Sequence, residues 1–525
     1  MQWIRQAMGS IGAAMAALVV AAPLASAVTI TRIAAQGEVA PHPAAPDFFA
    51  FLPTHVSRDG SVLFQATHTA SVPEAPYAFD GSGAPYRVAG PGPYAGAPAG
   101  ATTTGGTTAL RNEAFALAVS QTLVGGPFAG ATAAVFGSDA AGDTDLRMHG
   151  GAQAPGLASG VLLRGVAPAS IDERGAIVIA TTLVLDASRG IDFNHDAAIY
   201  RSTAPGSIDL IFHEGADVPG WSGLAVSPTV VATNDTGGVA LRVRTPTSGI
   251  SGFLAPDGAG GLGVAAREGD AIAPGLVLNA ISGTPELNDA GRLAFFGDLG
   301  GAGATENSDG AILARDAGGA LEIVVREGAQ APGAPAGALF GNIASAFDMN
   351  AHGQLALHST LVTTGGVATP PISGIFGPDD AGDLTLRVAR GDAVPGFVGV
   401  SFQGFDDPLL NDAGDLAFRA VTSDLGGDGL ADDALVHLAQ GGVAVVLLHE
   451  QQLLEYAPGD LRHVRSILTA VFDDALAHAA VRVTFAEGGE GLYLLTIPEP
   501  GTAVLLGLGV GALRRHRSRA RPAAI

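Results

Sequence analysis

The chain contains no cysteine and no lysine. Without cysteine, disulfides, thiol catalysis and cysteine-ligated metals are excluded, so the stability of the fold has to come from packing. Because every basic side chain other than histidine is arginine and the formal net charge is −23, a nucleic acid or an anionic lipid surface is an unsuitable partner. Divalent cations remain plausible partners.

Aromatic residues are also scarce, at 6% of the chain. Sugar-binding platforms use aromatic faces, and outside the first 27 residues the only tryptophan is Trp221, for which a place at the edge of the core is the favoured interpretation. The motifs Gly-x-Ser-x-Gly, His-Glu-x-x-His and the Walker loop do not occur. These absences argue against a lectin and favour a protein that is not an enzyme, although carboxylates could still meet in a central channel.

What the sequence does contain is turn residues and apolar residues. There are 75 glycines and 32 prolines among 525 residues, and 47% of the chain is hydrophobic. Frequent turns between short apolar segments are typical of an all-β protein with a large core.

Residues 1–27 have the layout of a cleavable signal peptide. Arg5 precedes an apolar run, and small residues at Ala25 and Ala27 form an A-x-A cleavage site. We therefore expect signal peptidase to release a chain that begins near Val28; an uncleaved membrane anchor is the alternative.

Residues 498–525 form a second distinctive segment. Pro498, Glu499 and Pro500 precede an uncharged stretch, which is followed by a basic cluster that includes Arg514, Arg515 and Arg517. A helix over about a dozen apolar residues is roughly 20 Å long, which is short for a hydrocarbon core of roughly 30 Å. The alternative interpretation of these residues is a plain tail anchor, in which the apolar stretch is a permanent transmembrane helix.

The order of these elements resembles the PEP-CTERM sorting signal of Gram-negative bacteria. That resemblance implies that an exosortase recognises and removes the tail while the protein moves to the cell surface or the extracellular matrix of a biofilm. The arginines would hold the tail on the cytoplasmic side of the membrane until it is processed.

Between the two ends, an Asn-Asp-x-Gly turn followed by an apolar strand recurs about every 60 residues. Asparagine and glycine both tolerate positive φ, so each copy predicts a hairpin. The clear copies are Asn234–Leu241, Asn288–Phe295, Asn350–Leu357 and Asn411–Phe418; looser ones are Arg58–Phe64 and Asp172–Ile179; Asn112–Leu117 and Asp473–Val481 lack the glycine.

Two further markers predict four strands in each unit. One is a Glu-Gly turn such as Glu327-Gly328, and the other is a short strand before a glycine turn such as Gly374–Phe376. Radially repeated four-stranded units indicate a β-propeller over residues 28–497, with eight blades favoured over seven. An open β-solenoid or a string of small sandwiches is the alternative architecture.

The ends of this region predict how the ring closes. Residues 28–38 contain an outer strand and the turn after it, without the three strands that precede them in other units. The last unit stops at Gly491–Leu495 and lacks an outer strand. One blade would then be completed by both ends, which leaves no exposed sheet edge.

The repeated pattern also resembles the choice-of-anchor tandem-repeat family described by the pattern NxxGxxAF, whose members carry varied surface anchors. The resemblance spans nearly all of residues 28–497. It implies a secreted surface repeat protein and no catalytic residue.

Acidic loops suggest a calcium site. Oxygen-bearing side chains alternate at Asp192, Asn194 and Asp196, and a second loop offers Asp424, Asp428 and Asp432. These loops lie on the face opposite the Asn-Asp-x-Gly turns, and variable loops on a rigid scaffold commonly carry binding residues. We therefore predict a surface or matrix scaffold, with a calcium-dependent polysaccharide- or ligand-binding propeller as the alternative and a hydrolase or lyase as the least favoured.

Overall fold

The computed structural model describes residues 28–497, apart from 41–46, 69–74, 82, 89–97, 104–107, 113–115, 128–130, 139–143, 194, 217, 219–220, 222–226, 246–248, 364–371, 425–430 and 443. These residues form eight antiparallel sheets arranged as the blades of a propeller. The sequence prediction of an all-β, eight-bladed propeller is confirmed.

The strands of the first four blades run in chain order from the inner to the outer edge. Blade 1 contains β2 (Phe48–Val56), β3 (Val62–His68), β4 (Ala75–Phe79) and β5 (Tyr86–Arg87); blade 2 contains β6 (Ala101–Thr103), β7 (Thr108–Arg111), β8 (Leu117–Gly125), β9 (Thr132–Ser138) and β10 (Thr144–His149). Blade 3 contains β11 (Leu163–Ile171), β12 (Ile177–Leu183), β13 (Ala197–Ala204) and β14 (Ser207–His213); blade 4 contains β15 (Ser227–Thr233), β16 (Val239–Arg244), β17 (Ser251–Pro256) and β18 (Leu262–Arg267).

The remaining blades follow the same plan, and a single 3₁₀ turn (Ala187–Arg189) is the one helical element of the described residues. Blade 5 contains β19 (Ala271–Ala273), β20 (Leu276–Leu287), β21 (Leu293–Gly300), β22 (Gly310–Arg315) and β23 (Leu321–Arg326); blade 6 contains β24 (Ala338–Met349), β25 (Leu355–Thr363), β26 (Ile372–Pro378) and β27 (Leu384–Ala389). Blade 7 contains β28 (Phe402–Phe405), β29 (Leu409–Leu410), β30 (Leu416–Thr422), β31 (Asp432–Leu438) and β32 (Ala444–His449); blade 8 contains β33 (Leu453–Ala457), β34 (Asp460–Phe472), β35 (His478–Phe485) and β36 (Glu490–Thr496), and it is completed by β1 (Thr29–Ala35).

The ring is closed by strands from the two ends of the described chain. β1 pairs antiparallel with β36, from Thr29 opposite Thr496 to Ala35 opposite Gly491. The sheet order β1-β36-β35-β34-β33 therefore gives blade 8 an outer strand from the N-terminal side, as the sequence predicts. Closure of this kind protects sheet edges that would otherwise pair with other chains.

The core lies between neighbouring blades. The second strand of each blade follows the repeated turn and is mostly buried on both faces, as in β21, where Leu293 to Gly297 are all buried. One face packs against each adjacent blade, so Phe253 of blade 4 contacts Phe295 of blade 5 with ring centroids 5.1 Å apart. Apolar runs without alternation are what a strand between two packed sheets requires.

The repeated turn depends on a residue with positive φ. Glycine supplies it in the four clear copies, with φ between +76° and +84° at Gly237, Gly291, Gly353 and Gly414. In blade 8 the same turn ends at Leu476, which has φ +53° and is buried. A leucine side chain therefore occupies a backbone conformation that normally favours glycine, because its burial offsets the strain.

No helix within the described part of the chain has the length and apolar character needed to cross a membrane. The apolar helix predicted after Pro500 lies outside the described residues, as do the whole of residues 1–27 and the tail 498–525.

Candidate functional site: an acidic channel mouth

The asparagine of the repeated turn joins one blade to the next. In blade 5, Oδ1 of Asn288 accepts a hydrogen bond from Arg292 N at 2.9 Å, while its Nδ2 donates to the carbonyl oxygen of Ala351 in blade 6 at 3.1 Å. The same inter-blade bond is made by Asn112, Asn234, Asn350 and Asn411. All five asparagines are buried, so this motif position is structural.

The aspartate that follows the asparagine lies at the mouth of the central channel. Oδ1 of Asp289 accepts a hydrogen bond from Asp235 N of the preceding blade at 2.9 Å, and Oδ1 of Asp412 accepts one from Ala351 N at 2.8 Å. These bonds run around the ring and leave the other carboxylate oxygen of each aspartate without a hydrogen bond among the described residues. The repeated turns therefore place a circle of carboxylates around one end of the channel.

A cavity of about 260 Å³ occupies this mouth. Its lining includes seven acidic residues, among which the side chain of Asp473 is fully buried, and, of the described residues, a single arginine, Arg58. The carboxyl groups belong to Asp235, Glu286, Asp289, Asp348, Asp412, Asp473 and Asp474. Such an excess of negative charge within a concave surface attracts cations.

Two of these carboxyl groups lie deeper, on the inner strands β20 and β24. Asp348 accepts hydrogen bonds from Met349 N at 2.8 Å and from Leu410 N of the next blade at 2.7 Å. Burial raises its pKa, the two backbone bonds oppose that rise, and the nearby Asp474 adds to it.

Glu286 differs because no hydrogen bond to its carboxyl group exists among the described residues. Protein atoms surround most of its side chain, although part of it still faces the water of the channel. Burial, and then the charge of Asp348, raise the pKa of Glu286 to about 8. At neutral pH the carboxyl group is therefore mostly protonated, and no described residue accepts a hydrogen bond from it.

The outer carboxyl groups influence one another. Desolvation in the crowded mouth, together with the charges of Asp289, Glu173 and Asp474, raises the pKa of Asp235 to about 6, although its surface is exposed to solvent. The guanidinium of Arg58 opposes that rise and also opposes the raised pKa of Asp474. Arg58 thus compensates only part of the negative charge at the mouth.

The structure describes only part of the predicted calcium loops. The imidazole of His195 pairs with Asp192 at 2.7 Å, and Arg164 pairs with Asp196 at 3.1 Å. Asn194 and Asp428 lie outside the described residues, while Asp424 has φ +70° and Asp432 begins β31. No group of three or more histidine or acidic side chains in the described part of the chain is arranged to hold a metal ion, and the calcium site stays a prediction.

The predicted processing residues cannot be placed. Ala25 and Ala27 at the signal cleavage site, and Pro498, Glu499, Pro500, Arg514, Arg515 and Arg517 of the sorting signal, all lie outside the described residues. Export and sorting therefore stay predictions from the sequence.

Three histidines at the ends of outer strands make local hydrogen bonds. A ring nitrogen of His149, His213 and His449 in each case hydrogen-bonds the carbonyl oxygen of the next residue, at 2.5–2.9 Å. Trp221 is buried, with the guanidinium of Arg267 6.0 Å from the centre of its ring, which confirms its place in the core.

Glu286 and Asp348 lie outside the repeated motifs, and the sequence prediction therefore missed them. Both residues stand two positions before the motif asparagine, where other repeats have Leu409, Val471 or Ala232. These two successive inner strands thus carry an acidic residue at a position that is apolar in blades 4, 7 and 8, and both residues line the channel. The largest lining of carboxyl groups therefore lies on the face of the repeated turns, opposite the variable loops that the sequence favoured.

Solved structures provide remote likenesses to this propeller. A dipeptidyl peptidase 4 from Porphyromonas gingivalis aligns with a TM-score of 0.45 and 8% identity, covering 83% of this chain, which spans 58% of the length of the peptidase. A sialidase from Trypanosoma rangeli aligns with a TM-score of 0.28 and 11% identity, over 89% of this chain and 93% of the enzyme. An exo-β-1,3-galactanase from Clostridium thermocellum gives 0.24 and 12%, over 89% and 100%.

No curated protein sequence matches the chain. A family model described as a family of unknown function, DUF7453, matches residues 80–504, which include six complete blades, four strands of blade 8 and all the acidic residues of the channel mouth. The chain belongs to the DUF7453 family.

Proposed function

We propose that this protein is a binding propeller that captures cationic ligands at the acidic mouth of its channel. The observation that carries the proposal is the lining of the mouth, which contains seven acidic residues and one arginine. Charges within a concave, partly desolvated surface act more strongly than charges on an open one, so the mouth concentrates positive ligands.

Calorimetric titration tests this proposal with matched probes. Diaminobutane carries two positive charges, whereas butanediol has similar size and none, so we expect the amine to bind and the diol not to bind. Raising the salt concentration should weaken the binding of diaminobutane, because the outer carboxylates are exposed to solvent and salt screens their charge.

Substitutions at the mouth and far from it test where the amine binds. Replacing Asp235 and Asp474 together by asparagine should weaken amine binding several-fold, whereas Asp209→Asn on the outer strand β14 removes one charge far from the mouth and should leave it unchanged. Equal affinity of the diamine and the diol for the wild-type protein would overturn the proposal.

We also propose that the propeller acts outside the cell as a surface or matrix scaffold. The signal layout of residues 1–27 and the Pro-Glu-Pro, apolar and arginine segments of residues 498–525 support this proposal. Signal peptidase and an exosortase-type sorting system would process the two ends. Mass spectrometry of the protein in the surface fraction tests it: a C-terminus close to Pro500 is expected, and an intact tail through Arg521 would contradict exosortase processing.

Hydrolysis is the second candidate function, and one observation favours it. A protonated Glu286 beside a hydrogen-bonded Asp348 is a pair of carboxyl groups with different proton affinities, as general acid–base catalysis requires. Release of reducing sugar from acidic or neutral polysaccharides, lost in Glu286→Gln, would establish this function. No turnover across a polysaccharide panel would leave binding as the role of the channel.

A further inference from the structure

Described carboxyl groups that have little or no exposure to solvent commonly accept hydrogen bonds from backbone N–H groups. Asp473 accepts from Ala477 N at 2.7 Å and from His478 N at 3.0 Å, and Asp172 accepts from Arg174 N and Ala176 N. These bonds compensate the cost of removing a carboxyl group from water.

Glu286 does not follow this pattern. Its carboxyl group lines the cavity, is enclosed by protein on most sides and has no hydrogen bond among the described residues. An uncompensated polar group costs stability, so a group of this kind inside a cavity is a candidate ligand contact. Its neighbour Asp348 has two backbone donors, which fix the orientation of the second carboxyl group.

The surroundings indicate the chemistry of the ligand. It has to donate hydrogen bonds to two carboxyl groups, and it has to be positive to enter the mouth. It also has to tolerate the apolar side chains of Met349, Leu410 and Phe472, which line the same cavity. A primary ammonium on a short alkyl chain satisfies all three requirements, because it offers three donors, one charge and an apolar stem.

We propose that Glu286 and Asp348 together bind the primary ammonium group of an organic amine, and that binding releases the proton of Glu286 to solvent. The ammonium keeps its three hydrogens, the O–H bond of Glu286 breaks, and one proton leaves for each amine bound. This inference rests on the proposed function, since it places the cation site within the acidic mouth.

The charged groups around the pair set the pH dependence. Those that line the same cavity are Arg58, Asp235, Asp289, Asp412, Asp473 and Asp474. Because the pKa of Glu286 is raised to about 8, its proton has to be displaced at any pH below that value, so the affinity rises with pH. One group with that pKa gives an affinity about 90-fold higher at pH 9 than at pH 6, to which Asp235, with a pKa of about 6, adds about a factor of two.

The experiment is calorimetric titration of the full chain with diaminobutane between pH 6 and pH 9, in buffers of different ionisation enthalpy. The wild-type protein should release about one proton per amine at pH 7 and show the rise in affinity. In Glu286→Gln both the proton release and most of the pH dependence should disappear, and the affinity at pH 9 should fall at least tenfold. Glu322→Gln, which removes the same charge from the outer strand β23, should behave as the wild type.

The outcomes separate this inference from the proposed function. Binding by Glu286→Gln with an unchanged pH slope overturns the pairing of Glu286 with the ammonium but leaves a cation-binding mouth. No binding of diaminobutane by the wild-type protein at any pH overturns both. Circular dichroism checks that each variant is folded.

A further arm distinguishes the two sources of an ammonium group. Nα-acetyl-lysine amide represents a lysine side chain of a partner, and diaminobutane represents a free amine. Binding of both probes indicates a site open to protein side chains, and binding of diaminobutane alone indicates a site for small amines. Either result supports the ammonium site, whereas binding of neither contradicts it.

Discussion

Glutamates on the two faces of the disc differ in their hydrogen bonding. On the face of the variable loops, Glu268 and Glu327 follow the outer strands and accept hydrogen bonds from Ser251 N at 2.9 Å and Gly310 N at 3.1 Å, where the third strands begin. On the face of the repeated turns, Glu286 lines the channel with no such partner. The comparison teaches that hydrogen bonding, rather than residue type, separates a structural carboxylate from a candidate ligand contact.

The largest expected effect concerns Glu286. Its pKa is raised from 4.5 to about 8, so the folded protein holds this proton more tightly than the unfolded chain. The stability that protonation provides is fully present below pH 4.5 and is lost as the pH rises towards 8. Glu286→Gln keeps the neutral form, so we expect its free energy of unfolding in urea to exceed the wild-type value by up to about 4 kcal/mol at pH 8.

The same variant provides its own control at low pH. At pH 4 the wild-type carboxyl group is protonated in both states, so the two proteins should unfold at nearly the same urea concentration. A variant that is less stable than the wild type at pH 8 would show that Glu286 has a partner that stabilises its charge.

The next effect concerns the turn asparagines. Asn288→Ala removes the acceptor of Arg292 N and the donor to Ala351 O at a buried site, so we expect a loss of about 3 kcal/mol in the free energy of unfolding. Asp289→Ala, the adjacent exposed residue, should cost about 1 kcal/mol. Equal costs for the two variants would contradict the assignment of the asparagine as the bond between blades.

Glu327 on the loop face should respond in the opposite direction to Glu286. Its two oxygens accept from Gly310 N and Ile343 N, so Glu327→Gln turns one acceptor into a donor that faces a backbone N–H. We expect a loss of about 2 kcal/mol in the free energy of unfolding at pH 8. A gain in stability, as expected for Glu286→Gln, would remove the distinction between the two faces.

The smallest effect is expected in the predicted calcium loop. Asp192→Ala with Asp196→Ala breaks exposed ion pairs with His195 and Arg164, which are worth about 1 kcal/mol together. Melting curves with and without calcium complete this test. A rise in melting temperature in the wild-type protein alone would establish a calcium site, and no rise would remove that prediction.

The sequence predicted the fold well because each blade carries its own local chemistry. The glycine turns, the apolar strand after each turn and the two incomplete ends are readable without knowledge of distant contacts. Even the Asp473–Val481 copy, which lacks the glycine, folds as a turn, since Leu476 takes the positive φ and Asp473 accepts the bonds that the motif asparagine accepts elsewhere.

The candidate site was less predictable because it depends on contacts between blades. Glu286 and Asp348 are 62 residues apart and meet only when adjacent inner strands pack around the channel. The pairing of Asp196 with Arg164 is equally invisible in the acidic spacing that suggested calcium, since it joins β11 to the residue just before β13. Packing within and between blades gives Asp196 and Asp348 their partners and leaves the carboxyl group of Glu286 without a hydrogen bond among the described residues.

The most direct test of the account is an infrared titration of the carboxyl groups, comparing the wild-type protein with Glu286→Gln between pH 5 and pH 10. The account predicts that the wild-type protein differs from the variant by one protonated carboxyl band, which disappears with a midpoint near pH 8 and is lost at lower pH when diaminobutane is added. Ionisation of Glu286 near pH 4.5 would contradict the claim that this carboxyl group binds a cationic ligand. A titration midpoint that does not change when the amine is added would contradict it as well.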